Sequence, residues 1–164
     1  MDTVFVDFEG VLITASSYAR ALREAHDSSD RASHFDPSCI QRLDKLCAEQ
    51  GLKVVLSTDW RYHSSFEDLA AALGRAGLQA DVVGALAKDP EGARNEHRGE
   101  AIGAWAAAHS VQRHVILDSH IERLPGQPWV MVDPDLGLSD SDLRRAEDFL
   151  PPVALEPAPE LQAA

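Results

Sequence analysis

Thr3-Val4-Phe5-Val6-Asp7-Phe8-Glu9-Gly10 decides how the rest of the chain is understood. Four strand-forming residues run together and end on a carboxylate, and a second carboxylate and a glycine follow. A short, continuous run of this kind suits a strand buried on both faces, as in parallel sheets. Ligands of open α/β sheets bind outside the carboxyl ends of the strands. Two acidic side chains at such an end point to a bound cation or to acid/base chemistry. The alternative is a strand that simply stops at a solvated turn.

Working outward, the pattern recurs. Lys53 to Ser57 forms a second buried strand and runs into the polar cluster Ser57-Thr58-Asp59-Trp60-Arg61. Asp81 to Leu86 is a weaker extended segment. His114 to Leu117 is a third strong strand, closed by Asp118, and Trp129 to Val132 a fourth, closed by Asp133-Pro134. Helical patterns fall between them. Tyr18 to His26 follows Ser16 or Ser17 as cap. Asp36-Pro37 opens a helix with Ile40, Leu43, Leu46 and Cys47 on one face and Gly51 at its end. Ser65 with Asp68, and Ser139 with Asp142, have the spacing of capping boxes for helices to about Ala76 and Leu150. Gly99 to His109 carries Ile102, Trp105 and Ala106 as an inner stripe. Residues 26–35 and 88–96 are polar and are expected to be loops.

Strands alternating with helices imply right-handed crossovers and a parallel sheet. The expected fold is α/β: a Rossmann-like, three-layer α/β/α sandwich with a mainly parallel central sheet. One domain covers residues 1–150, and the Pro-, Glu- and Ala-rich residues 151–164 form a flexible tail.

Bulk properties narrow the function. A chain of 164 residues is long enough for one proper core. Its net charge of -12 argues against an extended nucleic-acid surface, while leaving room for a site that handles one phosphate. The two cysteines, Cys39 and Cys47, fall on one helical pattern and do not favour a mutual bond. No basic leader precedes the first strand, and no apolar run approaches the ~18 residues of a membrane span. A cytoplasmic protein with no membrane association is expected; no motif specifies an oligomeric state.

All carboxyl-terminal strand ends of a parallel sheet share one edge, so Asp7, Ser57 or Thr58, and Asp118 should converge. Carboxylates and a hydroxyl, without His/Cys zinc spacing, suit a hard cation such as magnesium. With a basic residue beside it, such a site suits a phosphate. Arg61 reaches either a phosphate or nucleotide base, or an ion pair at a helix start. Trp60 and Trp105 fit the core better than a base-stacking role. Asp133 fits a turn, and His63, His97 and His120 fit the surface. The mixed charges from Arg20 to Arg31 fit a solvated face.

Asp7-Phe8-Glu9-Gly10-Val11 resembles the first motif of the haloacid dehalogenase (HAD) superfamily, a hydrophobic strand followed by Asp, any residue, Asp, Gly and Val or Thr. Val55 to Arg61, Arg98 to Trp105 and Asp133 to Ser139 are similar to the small capless branch found in RNA-repair ("Swiss Army Knife") proteins. The resemblance covers about Thr3 to Leu150 and implies a HAD-type sandwich without a large cap domain. It implies Asp7 as the nucleophile that forms an aspartyl-phosphate and Glu9 as the general acid/base. Ser57, with Thr58 beside it, and Arg98 would hold the phosphoryl group. Asp7, the Glu9 carbonyl and Asp118 would be the ligands of Mg2+, with Glu122 as a lesser alternative to Asp118.

Three positions depart from the pattern: Glu9 and Ser119 replace aspartates, and Arg98 replaces the usual lysine. The implied function is a magnesium-dependent phosphohydrolase of the phosphomonoesterase type. Its partners would be a phosphorylated small molecule or a nucleic-acid end. The departures carry the alternative, a catalytically weakened relative that binds a phosphorylated ligand or a protein partner.

Overall fold

The structure is a computed structural model and describes residues 1–24, 30–88, 97–120 and 123–152. Five strands, β1 (Thr3–Val6), β2 (Lys53–Leu56), β3 (Val82–Ala85), β4 (His114–Asp118) and β5 (Trp129–Met131), form one sheet in the order β3-β2-β1-β4-β5. Every pairing is parallel. Among the described residues the α-helices are α1 (Ala15–Glu24), α2 (Pro37–Gln50), α3 (Phe66–Arg75), α4 (Arg98–Ala108) and α5 (Asp140–Asp148).

The apolar run that opened the sequence is the middle strand, and its alternation feeds two cores. Val4, Val6, Val54, Leu56, Val115 and Leu117 face one side, where α2, α3 and α5 contribute Ile40, Leu43, Leu46, Leu69, Leu73 and Leu143. Phe5, Val55 and Ile116 face the other, where α4 contributes Ile102 and Trp105. Phe5 meets Trp105 edge to face, with centroids 5.7 Å apart. Both faces of the sheet are thus covered, and the fold is the expected three-layer α/β sandwich with no large cap. No helix of the described residues is long and apolar enough to cross a membrane. Cys39 and Cys47 are buried free thiols on α2.

Local chemistry sets the helix ends. Asp36 caps α2 by accepting the Ser38 N–H, proline occupies the first turn, and Gly51 closes the helix in the left-handed region. Ser65 caps α3, and Ser139 with Asp142 makes a reciprocal capping box on α5. The first helix departs from expectation. It starts at Ala15 rather than Tyr18, because Thr14 and Ser17 cap each other, each backbone N–H reaching the other's hydroxyl at 3.0 Å. Within the expected loop 26–35, Arg31–His34 forms a short 3-10 helix capped by Asp30. Glu122 and parts of the expected loops and tail (residues 25–29, 89–96 and 153–164) lie outside the described residues.

Strand order places the site. The chain builds β1, β2 and β3 outward on one side, then returns to the other side of β1 for β4 and β5. The reversal falls between β1 and β4, the position where open α/β sheets leave a crevice.

Candidate active site

Three strand ends deliver the polar groups to this crevice. Asp7 follows β1, and its N–H donates to the Leu117 carbonyl at 3.1 Å; Ser57 follows β2, and its N–H donates to the Val6 carbonyl at 3.0 Å. Asp118 is the last residue of β4. Beyond Asp7 the chain turns sharply, with the Phe8 carbonyl accepting from the Val11, Leu12 and Ile13 N–H groups. Gly10 sits in that turn at φ +78°, and a Cβ there would lie 2.6 Å from Ser119 Oγ. The glycine therefore lets the loops after β1 and β4 close on each other.

Arg98, the first residue of α4, organises the charges. Its buried guanidinium brings Nη1 to 2.5 Å from Asp118 Oδ2 and 3.3 Å from Asp7 Oδ2, while Nη2 lies 3.0 Å from Asp59 Oδ1. Burial opposes the Arg98 charge, but Asp7, Asp118 and Asp59 outweigh it and raise its pKa. Burial, then the charge of Asp118, push the Asp7 carboxyl up to about 7, against the pull of Arg98. Burial likewise raises Asp118, again against Arg98. The other contacts orient these carboxylates. Asp7 Oδ1 accepts the Phe8 N–H at 2.8 Å, and Asp118 Oδ1 accepts the His120 N–H at 2.9 Å.

The structure thus brings together Asp7, Arg98 and Asp118, as the sequence leads one to expect, and adds Asp59. Ser57 Oγ is fully buried and has no hydrogen-bond partner among the described residues. An unsatisfied buried hydroxyl is costly enough to require an explanation. Thr58, the adjacent alternative, is engaged: its Oγ1 accepts the Trp60 N–H at the start of a short 3-10 helix, Asp59–Tyr62.

Arg61 departs from the phosphate-binding reading. Its guanidinium donates to the carbonyls of Ser57, Thr58 and Ala87 and to the Tyr62 hydroxyl, and it pairs with Asp59 at 3.3 Å. Most of its donors are committed to holding the loop after β2, so Arg61 shapes the site from beneath. Glu9 lies apart from the charge cluster. Its exposed side chain accepts a hydrogen bond from Trp60 Nε1 at 3.2 Å, and its carbonyl lies 3.4 Å from the Ser119 hydroxyl. Asp133 heads a turn, its carbonyl accepting the Leu136 and Gly137 N–H groups. His63, His97 and His120 are exposed.

Trp60 packs against the core as the sequence suggests, but its bond to Glu9 and the pairing of Asp59 with Arg98 were not foreseen. Both residues lie inside the quoted cluster Ser57 to Arg61, but no local spacing marks these contacts, because the partners come from α4 and from the turn after β1.

A family model describing the HAD domain in Swiss Army Knife RNA repair proteins matches residues 3–143, most of the chain. The chain belongs to this HAD domain family. Comparison with curated proteins found no match, nor did comparison with solved structures. The HAD superfamily is one of hydrolases whose members generally use Mg2+.

The donors of this HAD domain fit that ion by chemistry. The site offers only oxygen donors, the type a hard cation takes: the Asp7 and Asp118 carboxylates, each with its Oδ2 on Arg98 Nη1, and the Glu9 carbonyl with the Ser119 hydroxyl 3.4 Å from it. Among the described residues no cluster of three or more His, Cys, Asp or Glu side chains is placed to hold a metal. A hard cation here would therefore take two carboxylates, Asp7 and Asp118, and complete its shell from the backbone carbonyl, Ser119 and water. Beyond Ser119 a cavity of about 420 Å³ opens between Met131, Asp133, Leu136 and Arg145.

Proposed function

We propose that this HAD domain is a magnesium-dependent phosphohydrolase that removes a terminal phosphate from a phosphomonoester, including nucleotides and nucleic-acid ends. The observation that carries the reading is the buried, unpartnered Ser57 hydroxyl just after β2, whose neighbouring strand β1 runs into the buried Asp7. A phosphoryl group supplies what that hydroxyl lacks, an acceptor oxygen within the site.

The chain's own residues divide the work as follows. Asp7 attacks phosphorus, its rotamer held by the Phe8 N–H. The bond from phosphorus to the leaving oxygen breaks, and Glu9 gives that oxygen a proton. Glu9 then takes a proton from water, whose oxygen attacks the same phosphorus and frees Asp7 and inorganic phosphate. Ser57 and Arg98 hold the phosphoryl oxygens, and Arg98 also keeps Asp7 apart from Asp118 in charge. Magnesium, held by Asp7, Asp118 and the Glu9 carbonyl, would neutralise charge gathering on the transferred group.

The test is phosphate release with magnesium from 4-nitrophenyl phosphate and from 3′- or 5′-phosphorylated oligonucleotides, beside an Asp7→Asn control. Release by the natural chain alone supports the reading, and equal release by both refutes it. A second reading, binding with weak turnover, is favoured by Ser119, whose hydroxyl brings no negative charge to the cation. It predicts phosphate binding in the natural chain and hydrolysis only after Glu9→Asp and Ser119→Asp.

A further inference from the structure

Glu9 stands where the resembled motif has an aspartate, and among the described residues its carboxylate accepts a hydrogen bond from the Trp60 indole. That indole is closely confined. Phe8 meets it edge to face with centroids 5.4 Å apart, and His34 does so at 6.0 Å. Phe35 lies tilted against it at 6.1 Å, and the Arg31 guanidinium stands over the ring at 5.2 Å. Its backbone N–H is pinned to Thr58 Oγ1, and its carbonyl accepts the His63 N–H. With its surroundings occupied, the ring is poorly placed to stack on a base. Its single polar group, Nε1–H, is a donor only, and it is directed at Glu9 Oε1.

We propose that Trp60 is a positioning residue for Glu9, holding its carboxyl where the shorter aspartate of the family would stand by itself. Glutamate has one more rotatable bond than aspartate, and an unrestrained carboxyl loses the geometry that proton transfer requires. The indole N–H fixes Oε1 and leaves Oε2 free to carry the proton to the leaving oxygen as the phosphorus–oxygen bond breaks. A bond from N–H to a carboxylate is charge-assisted and stronger than a neutral one. The inference rests on the reading of Glu9 as general acid/base and adds to it the device that makes a longer acid serviceable.

The experiment compares two leaving groups. Nitrophenolate departs without much help from an acid, whereas the sugar oxygen of a phosphorylated oligonucleotide needs one. Trp60→Phe keeps the aromatic packing and removes only the N–H. It is expected to lower the single-turnover rate of the first step, phosphoryl transfer from the oligonucleotide to Asp7, about tenfold, with KM and the burst rate of nitrophenolate release nearly unchanged. In a Glu9→Gln background, Trp60→Phe should cost nothing further. The Trp60 indole N–H resonance of the natural chain should also move on Glu9→Gln, a readout that does not require Trp60→Phe to fold.

Equal losses in that first step on both substrates, a change confined to KM, additive losses in the double variant or an unmoved indole resonance would each overturn the proposal. Glu9→Gln hydrolysing both substrates at the natural rate, or a natural chain inactive on both, would remove the acid/base reading and this inference together. Loss of activity in Glu9→Gln with none in Trp60→Phe would overturn the positioning role and leave Glu9 in place.

Discussion

Replacing Arg98 by alanine tests the organisation of the site in a single step. The side chain is only 2% exposed and touches Asp7, Asp118 and Asp59 at 3.3, 2.5 and 3.0 Å. Removal leaves three carboxylates around the vacated space, two of them buried at neighbouring strand ends and without the charge that offsets their repulsion. Breaking a buried ion pair by deleting one partner costs about 3–5 kcal/mol. Against a typical total of about 5–15 kcal/mol for a domain this is a large share. At about 1.4 kcal/mol per tenfold, the unfolded fraction rises by at least about two powers of ten. Urea unfolding followed by far-UV circular dichroism measures it, with a lower midpoint at unchanged slope. Arg98→Lys keeps the charge but loses the fork that spans Asp118 and Asp59, so its loss should be smaller. Adding Asp118→Asn to Arg98→Ala should recover part of the loss, because it removes one stranded charge. An Arg98→Ala loss under about 1 kcal/mol, the scale of an exposed pair, would refute the account of Arg98 as the buried hub.

Other outcomes follow from single contacts. Ser57→Ala should leave stability within about 1 kcal/mol, since its hydroxyl makes no hydrogen bond to lose, yet weaken inorganic phosphate binding about tenfold; thermal melts and titration calorimetry measure the two. Gly10→Ala should cost about 1–3 kcal/mol in urea unfolding, because the residue sits at φ +78° and the new methyl meets Ser119 Oγ and Pro134 Cβ. His114 should give a pH-dependent difference. Burial lowers its pKa below the ordinary 6.5, so the folded chain binds fewer protons there than the unfolded one. The stability His114 contributes is full above about pH 6.5 and is lost as pH falls from there to the folded-state pKa. His114→Phe, which keeps an edge contact to Phe5, should therefore gain on the natural chain at pH 5 relative to pH 8, as urea midpoints will show.

The legible parts of this chain are those whose physics is local. The continuous apolar runs gave the buried strands, and Asp36-Pro37, Gly51, Ser65 and Ser139 gave helix ends, because a cap depends only on near neighbours. Strand ends then brought Asp7, Ser57 and Asp118 to one edge, since parallel order follows from alternation. The start of α1 was missed although Thr14 and Ser17 carried the signal, a reciprocal hydroxyl cap three residues apart. The Asp59–Arg98 pair, the Trp60–Glu9 bond and the carbonyls that Arg61 finds were beyond local reading, although its ion pair at a helix start was one of the two readings of the sequence. These contacts arise where the turn after β1, the loop after β2 and the start of α4 meet, and side-chain type alone does not say which carbonyl an arginine will find. Glu9 shows both limits. Its departure from the family pattern was plain in sequence, but the indole that holds its carboxylate comes from residues 51 positions away.

The central claim is that Asp7 receives the phosphoryl group. The most direct measurement is mass analysis of peptides from the natural chain, acid-quenched during magnesium-supported turnover of a phosphorylated oligonucleotide. The account predicts a phosphoryl group on the peptide containing Asp7, and none after Asp7→Asn, which should also stop phosphate release. Phosphate release that continues unchanged in Asp7→Asn would contradict it.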